Sequence, residues 1–427
     1  MLRPIRTLAV AAAALALVSA CNSASGPAPG AAPAASGRAG DAPGNRRGVS
    51  DDSIKVGGIV SMTSASGYSK KDTDLGARAR YLRANAEGGV NGRTIDYLGA
   101  QDDGQDPAKN MAAARRLVQQ DEVFAVAPMS SVTFSGADFL EQEKVPTFGW
   151  GTLPSFCGPQ YAYGFNGCLV PSPGGTLNQT WPEGIAQLLG GAAGRSVAVI
   201  ANDSDAGTFG IRTFRQGFAA AGFTVSYAKS SVPATAVPSD WSAYVKEIMA
   251  SNGGKAPDAV VSVMQTPNNI GLFTALKRAG YRGLLSDPTD YDPGLLTKDA
   301  TRQALDGVHV LLQFEPFESD SPRMARFKAD VKAAAGGRDV PLSMHTMTGY
   351  MAADLFLSIA AKAGRDLSVE SFQAAARGFS DTGTLVGDRA LPKGQKDSFG
   401  CGALVRLTGG TYEVSVPFRC HEPVPFA

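Results

Sequence analysis

The side chains able to do chemistry are few and dispersed along the 427 residues. His309, His345 and His421 are the three histidines, and none stands in the His-Glu-x-x-His spacing that holds zinc. There is no Gly-x-Ser-x-Gly elbow to expose a nucleophilic serine, and no Gly-Lys-Ser/Thr loop to cradle phosphates. The glycines of Gly190-Gly191-Ala192-Ala193-Gly194 lead into a strand pattern rather than out of one, so they read as a helix-ending turn. Asp102, Asp103 and Asp106 miss the calcium-loop spacing and read as caps and turns. Asp287, Asp290 and Asp292 read as a loop cluster, unless a buried cationic ligand requires one of the carboxylates. Ser130-Ser131 has the form of an N-cap pair before a helix, a role compatible with holding a ligand. Tyr68 sits in a Ser/Gly-rich loop, where an aromatic ring implies a contact, and Trp150 suits either core or pocket wall. Such an inventory supports reversible binding better than turnover.

The cysteines point to a location. Cys21 follows Arg3, Arg6 and an apolar run over 8–18, the pattern of an export signal. That run falls short of the roughly 20 apolar residues that span a bilayer. Cys157 and Cys168, and Cys401 and Cys420, form two local pairs. In an exported chain such pairs commonly bridge, so Cys157–Cys168 and Cys401–Cys420 are the expected disulfides, though other connectivities are possible. A zinc site would want closer Cys-x-x-Cys spacing or a partnering histidine pattern.

Composition narrows the partners. Residues 21–51 are dominated by Ala, Pro, Gly and Ser and read as a disordered tether, because they offer too little apolar surface to offset chain entropy. Formal net charge is +1, with no basic block, so nucleic acid is not an expected partner. The folded part then begins near Asp52 and is long enough for two lobes.

The elements that must position these residues alternate in type. Strands are expected at 54–61, 94–100, 123–127 and 147–148, with helices at 74–85, 106–120 and 135–143. Asp106-Pro107 opens the second helix as N-cap and first helical residue. A second series follows the Pro/Gly-rich stretch 171–175. It places helices at 176–189, 209–221, 241–251 and 268–279 and strands at 196–201, 224–228 and 259–263. A hairpin over 401–407 and 411–417 turns at Gly409-Gly410. Such βα alternation predicts an α/β fold of two doubly wound, Rossmann-like lobes. The expected division is a signal peptide over 1–20, a tether over 21–51, an N-terminal lobe of 52–170 plus 316–385, and a C-terminal lobe of 171–315 plus 386–427.

In order, several stretches carry a resemblance. They are IKVGGIVSMTSASGYS at 54–69, the turn at 88–92, QDDGQDPAKNMAAARRLV at 101–118, VAPMSSVTFSGAD at 126–138 and VAVIANDSDAGTFG at 197–210. Together, behind what resembles a bacterial lipoprotein signal, they are similar to the branched-chain amino-acid-binding family of solute receptors that serve ABC importers. The resemblance implies the type I periplasmic binding fold, with a multi-strand hinge and a ligand cleft between the lobes. It agrees with the rule that open α/β sheets bind ligands beyond the carboxyl ends of their strands. Carried over, Tyr68 covers the ligand, while Ser130 and Ser131 offer a hydroxyl and a backbone N–H to a carboxylate, beside a helix start. Gly151 and Thr152 add backbone and hydroxyl contacts. Phe209 and Gln265 reach in from the second lobe, and Asp290 neutralises a ligand ammonium. Phe209 and Gln265 depart from the groups common in receptors for aliphatic amino acids, which leaves the ligand class open.

The lipoprotein signal implies cleavage before Cys21, which would then carry the lipid; an ordinary cleaved signal is the alternative. The expected protein is thus no enzyme. It is a monomeric, membrane-tethered receptor without cofactor or metal, binding a small polar or amphipathic metabolite by cleft closure. Its macromolecular partner would be the importer's permease and ATPase. A sensory binding protein of the same fold is the second reading, and an extracellular hydrolase the third.

Overall fold

A computed structural model describes residues 44–171, 174–391 and 393–426. The signal, Cys21 and residues 21–43 of the tether therefore lie outside the described residues. The chain opens with β1 (Ser53–Val60), α1 (Asp72–Ala86), β2 (Thr94–Asp102), α2 (Pro107–Gln119) and β3 (Ala125–Ser130). It continues through α3 (Ala137–Gln142), β4 (Thr147–Gly149), β5 (Ala162–Gly164) and the short β6 (Thr176–Leu177). Next come α4 (Thr180–Leu188), β7 (Ser196–Asp203), α5 (Asp205–Ala220), β8 (Thr224–Pro233), α6 (Ser242–Met249), β9 (Ala259–Val263) and α7 (Thr266–Arg278). Then follow β10 (Leu284–Asp287), α8 (Asp299–Leu305), β11 (His309–Leu312), α9 (Pro322–Ala334), α10 (Met344–Ala363) and α11 (Val369–Arg377). Last are β12 (Ser380–Thr384), β13 (Gly387–Ala390), β14 (Cys401–Thr408), β15 (Thr411–Cys420) and β16 (Val424–Pro425).

Two sheets organise these elements. The first is parallel throughout, in the order β2-β1-β3-β4-β5. The second runs β15-β14-β11-β10-β9-β7-β8, parallel except for the hairpin β14–β15 on one edge. Every residue of β3 is buried, as expected of a parallel strand covered by helices on both faces. This is the two-lobed, doubly wound α/β arrangement that the alternating pattern predicts. The chain passes between the halves three times: after β5, after β11, and through the β12–β13 ribbon before β14.

Local chemistry sets the helix starts. The Asp106 carboxylate accepts from the backbone N–H groups of Ala108 and Lys109, with Pro107 at the first helical position. Ser204 caps α5 by accepting from the Gly207 N–H. Ser343 and Thr346 close a capping box on α10. That helix packs on α1 through Gly76 and Gly349. A Cβ at Gly76 would lie 1.9 Å from the Thr346 carbonyl oxygen, and one at Gly349 would lie 1.8 Å from that of Thr73. Only glycine lets the two backbones approach so closely.

Three local expectations are corrected. β3 runs on to Ser130, and α3 starts at Ala137 with Gly136 as its cap, so no helix begins beside Ser130-Ser131. Instead the Ser131 hydroxyl accepts from the Thr133 N–H in a tight turn. Thr176–Leu177 pairs with Val424–Pro425 rather than opening a helix, which begins at Thr180. β8 continues to Pro233, five residues past its expected end at Ala228. The disulfides Cys157–Cys168 and Cys401–Cys420 are both present, the second joining directly paired residues of β14 and β15. Among the described residues, no helix is long and apolar enough to cross a membrane.

Candidate functional site: a cavity between the two sheets

A cavity of about 370 Å³ opens where strands of both sheets end at their carboxyl sides. From the first sheet, Tyr68 and Lys70 follow β1, Gln105 follows β2, Thr133 follows β3, and Trp150 and Thr152 follow β4. From the second, Asn202 ends β7, Thr235 follows β8, Gln265 follows β9 and Thr289 follows β10. Leu169 and Gln313 come from the crossing segments, and Phe214 from α5. Trp150, Phe214, Val132, Leu169, Val263 and Met264 make much of the wall apolar. The volume and the mixture of apolar wall with a few convergent polar groups are those of a small-molecule site.

Polar atoms on the wall are held in place. The Trp150 indole N–H donates to Gln313 Oε1 at 2.6 Å, and Asn166 Nδ2 donates to the same oxygen at 2.9 Å. Gln265 joins the halves: its Oε1 accepts from the Ser66 hydroxyl at 2.8 Å, and its backbone N–H donates to Asn202 Oδ1 at 2.8 Å. The Gln313, Asn202 and Gln265 amides are therefore oriented by hydrogen bonds, while Gln105 Nε2 is buried without a partner.

Lys70 is the buried charge on this wall. It is 6% exposed, and its ammonium donates to the Ser131 carbonyl at 3.2 Å. Among the described residues it forms no ion pair. Burial pushes its pKa down to about 8, against a partial offset from Asp103. The Asp103 carboxylate itself accepts from the Ser61 hydroxyl at 2.7 Å and from Asn110 Nδ2 at 2.8 Å. A buried cation bordering an apolar cavity without its own carboxylate favours an anionic guest.

The residues singled out from sequence fall into two groups. Tyr68, Thr152 and Gln265 wall the cavity. Ser130, Ser131, Gly151, Phe209 and Asp290 do not. The Ser130 hydroxyl is buried without a partner at the end of β3, and Ser131 bonds to Ser61 at 2.9 Å. Gly151 donates its N–H to Asn166 Oδ1 at 3.1 Å, and a Cβ there would meet the Gly167 carbonyl oxygen at 1.8 Å. It permits a close backbone crossing. Phe209 is half-buried on α5 with the Arg212 guanidinium 5.9 Å from its ring centre, while Phe214 of that helix faces the cavity.

Asp290 lies behind Thr289, whose hydroxyl is 3.3 Å from an oxygen of each of Asp287 and Asp290. Burial pushes Asp290 up to about 7 and holds Asp287 well above the usual carboxylate range, where the Asp290 charge raises it further. Tyr68 donates to or accepts from His345 Nε2 at 3.1 Å, and burial together with Lys70 keeps that imidazole neutral, with a pKa pushed down to about 3. These two residues also border a second, neighbouring cavity of about 440 Å³, flanked by Asp72, Asp292 and Lys298.

Sequence reasoning missed Lys70, Gln105, Asn202, Phe214 and Gln313. Nothing local separates Lys70 from Lys71, which is exposed; only the fold turns one inward. Asn202 lies within the family-like stretch 197–210 and Gln105 within 101–118, so both were within reach, whereas Phe214 lies four residues beyond the first of these.

Comparison with known proteins agrees with this architecture. Residues 53–411 match the model of a family described as periplasmic binding protein. Among curated proteins none matches. Similar solved structures include a possible leucine/isoleucine/valine-binding protein from Rhodopirellula baltica, at TM-score 0.68 and 15% identity, covering 85% of this chain and 96% of that one. A solute-binding protein of an ABC transporter from R. palustris, in complex with 4-hydroxybenzoate, is similar at TM-score 0.67 and 19% identity, covering 87% and 98%. A fatty acid ABC transporter substrate-binding protein from Thermomonospora curvata is similar at TM-score 0.67 and 18% identity, covering 88% and 95%. The match over most of the chain and the cleft at the strand ends lead to one conclusion: this chain belongs to the periplasmic binding protein family and has its type I fold.

Proposed function

We propose that the chain is the solute receptor of an ABC importer and binds a small carboxylate with an apolar body, aromatic or aliphatic, in the cavity between the two sheets. The observation that carries this reading is Lys70, a buried ammonium on a largely apolar wall with no carboxylate of its own. A ligand carboxylate would supply the missing countercharge, and Trp150, Phe214 and Leu169 would cover the apolar body. Tyr68, Thr152 and Gln265 would set its orientation, with Gln265 reaching from the second half as the cleft closes. The benzoate-type and fatty-acid ligands named for structurally similar receptors have this chemistry. An amino acid would need a carboxylate for its ammonium. Asp290 is the candidate, but it sits behind Thr289 and burial favours its neutral form.

The test is a thermal-shift comparison of the exported chain with benzoate, 4-hydroxybenzoate, medium-chain fatty acids, their amides, and leucine, since a ligand selective for the native state raises its melting temperature. Carboxylates should raise it and their amides should not. A response to leucine with none to any simple carboxylate would replace this reading with amino-acid receptor. Tethering through a lipid on Cys21 belongs to the same proposal. A Cys21→Ser chain should leave the membrane fraction, and its retention there would remove the tether from the account.

A further inference from the structure

The molecule has a third cavity, also charged, away from the strand ends and lined by α10. It measures about 310 Å³ and lies between α9, α10 and the β12–β13 ribbon. Four arginines border it (Arg83, Arg323, Arg326 and Arg389) against two aspartates, Asp354 and Asp381. Those two acids are already engaged. Asp354 pairs with Arg80 at 2.8 Å and with Arg389 at 2.9 Å, and Asp381 pairs with Arg389. Arg83 takes Asp330 at 3.0 Å and the Tyr350 hydroxyl at 2.9 Å.

The remaining cationic groups are under-partnered. Arg389 is 1% exposed, yet its Nη1 has no hydrogen-bond partner, and the same holds for Arg80 Nη1, while Arg83 Nε has only the Glu87 carboxylate at 3.9 Å. At the rim, Arg323 reaches Glu315 only at 3.8 Å, and Arg326 forms no ion pair among the described residues. With the flanking Asp330, Glu315 and Glu87 counted, and Arg80 added, five arginines face five acids, but Glu315 is the one acid that pairs at the rim, where both Arg323 and Arg326 stand. Guanidinium groups match the paired oxygens of carboxylates and phosphates. Met351, Leu385 and the Tyr350 ring give the cavity an apolar side.

We infer that this cavity is a second binding site, specific for a small doubly charged oxyanion such as a phosphate or a dicarboxylate. Arg323 and Arg326 would grip it at the rim, above the buried Arg389, whose Nη1 has no hydrogen-bond partner. The site is separate from the cavity that holds Lys70, and the inference does not depend on what binds there. A regulatory or delivery-related anion would act at the back of the first half rather than in the cleft.

The test uses the whole exported chain at fixed ionic strength, titrated with inorganic phosphate and, separately, with succinate. At least one should raise the melting temperature and bind saturably, and the better of the two identifies the oxyanion. The double variant Arg323→Ala, Arg326→Ala replaces exposed side chains, so it should fold normally. It should lose at least about tenfold in affinity for that probe, a change of about 1.4 kcal/mol. Its response to a cleft ligand should be unchanged. No saturable response to either probe, or equal binding by the double variant, would overturn the inference.

Discussion

Lys70 is held in the folded chain at an electrostatic disadvantage. Its ordinary pKa near 10.5 falls to about 8 because burial costs the ammonium its hydration. Two opposite pH dependences follow. In the empty protein, the unfolded chain holds more protons than the native one between about 8 and 10.5, so stability contributed at this site rises with pH across that window. Carboxylate binding runs the other way, because it needs the ammonium charged. Affinity should be full below about pH 8 and fall above it, approaching tenfold per unit. Asp290, near 7, gains charge over an overlapping range and adds repulsion of the same sign, while His345 stays neutral throughout. A fluorescence titration following Trp150, repeated across this range, checks the prediction. Affinity that stays level above pH 8 would contradict it. At this scale the sequence was legible where a residue type implied contact, as with Tyr68 in a polar loop. It was not legible for Lys70, because burial of one lysine in an adjacent pair is a property of the fold.

The elements were legible wherever a cap or a turn wrote its own boundary. Asp106-Pro107 starts α2 as expected, and Gly409-Gly410 turns the hairpin β14–β15. Where the boundary depends on distant pairing, the reading fell short. Thr176–Leu177 becomes strand only because the C-terminal Val424–Pro425 lies alongside it. β3 was expected to end at Ala127, yet the strand continues to Ser130 within the parallel sheet. That difference moves Ser130 off the expected helix start and leaves its hydroxyl buried at the strand end. α10 has buried residues on nearly all sides and so lacks the one-sided apolar stripe that marks a surface helix. The same helix lines two cavities, the arginine-bordered one through Tyr350, Met351 and Asp354 and the one of about 440 Å³ through His345.

At the scale of the whole molecule, the two sheets converge their carboxyl ends on one cavity, and Gln265 already bonds across it to Ser66. A ligand that touches both halves would favour the closed arrangement by whatever it gains from the second half. In the proposed reading, the charge that selects the ligand comes from the first half, through Lys70, and most of the polar fit from strand ends on both sides. The two-lobed plan was readable from the alternation of strand and helix patterns. Which side chains meet in the middle was not, since those contacts join residues as far apart as Ser66 and Gln265. The most direct test is isothermal titration of the exported chain and its Lys70→Met variant with the best carboxylate from the thermal-shift comparison. Lys70→Met keeps the apolar length of the side chain and removes the charge. Leaving a buried carboxylate unpaired costs about 3–5 kcal/mol, so the variant should bind a hundredfold or more weakly while folding as well as the parent. Equal affinity for the carboxylate in both chains would contradict the account.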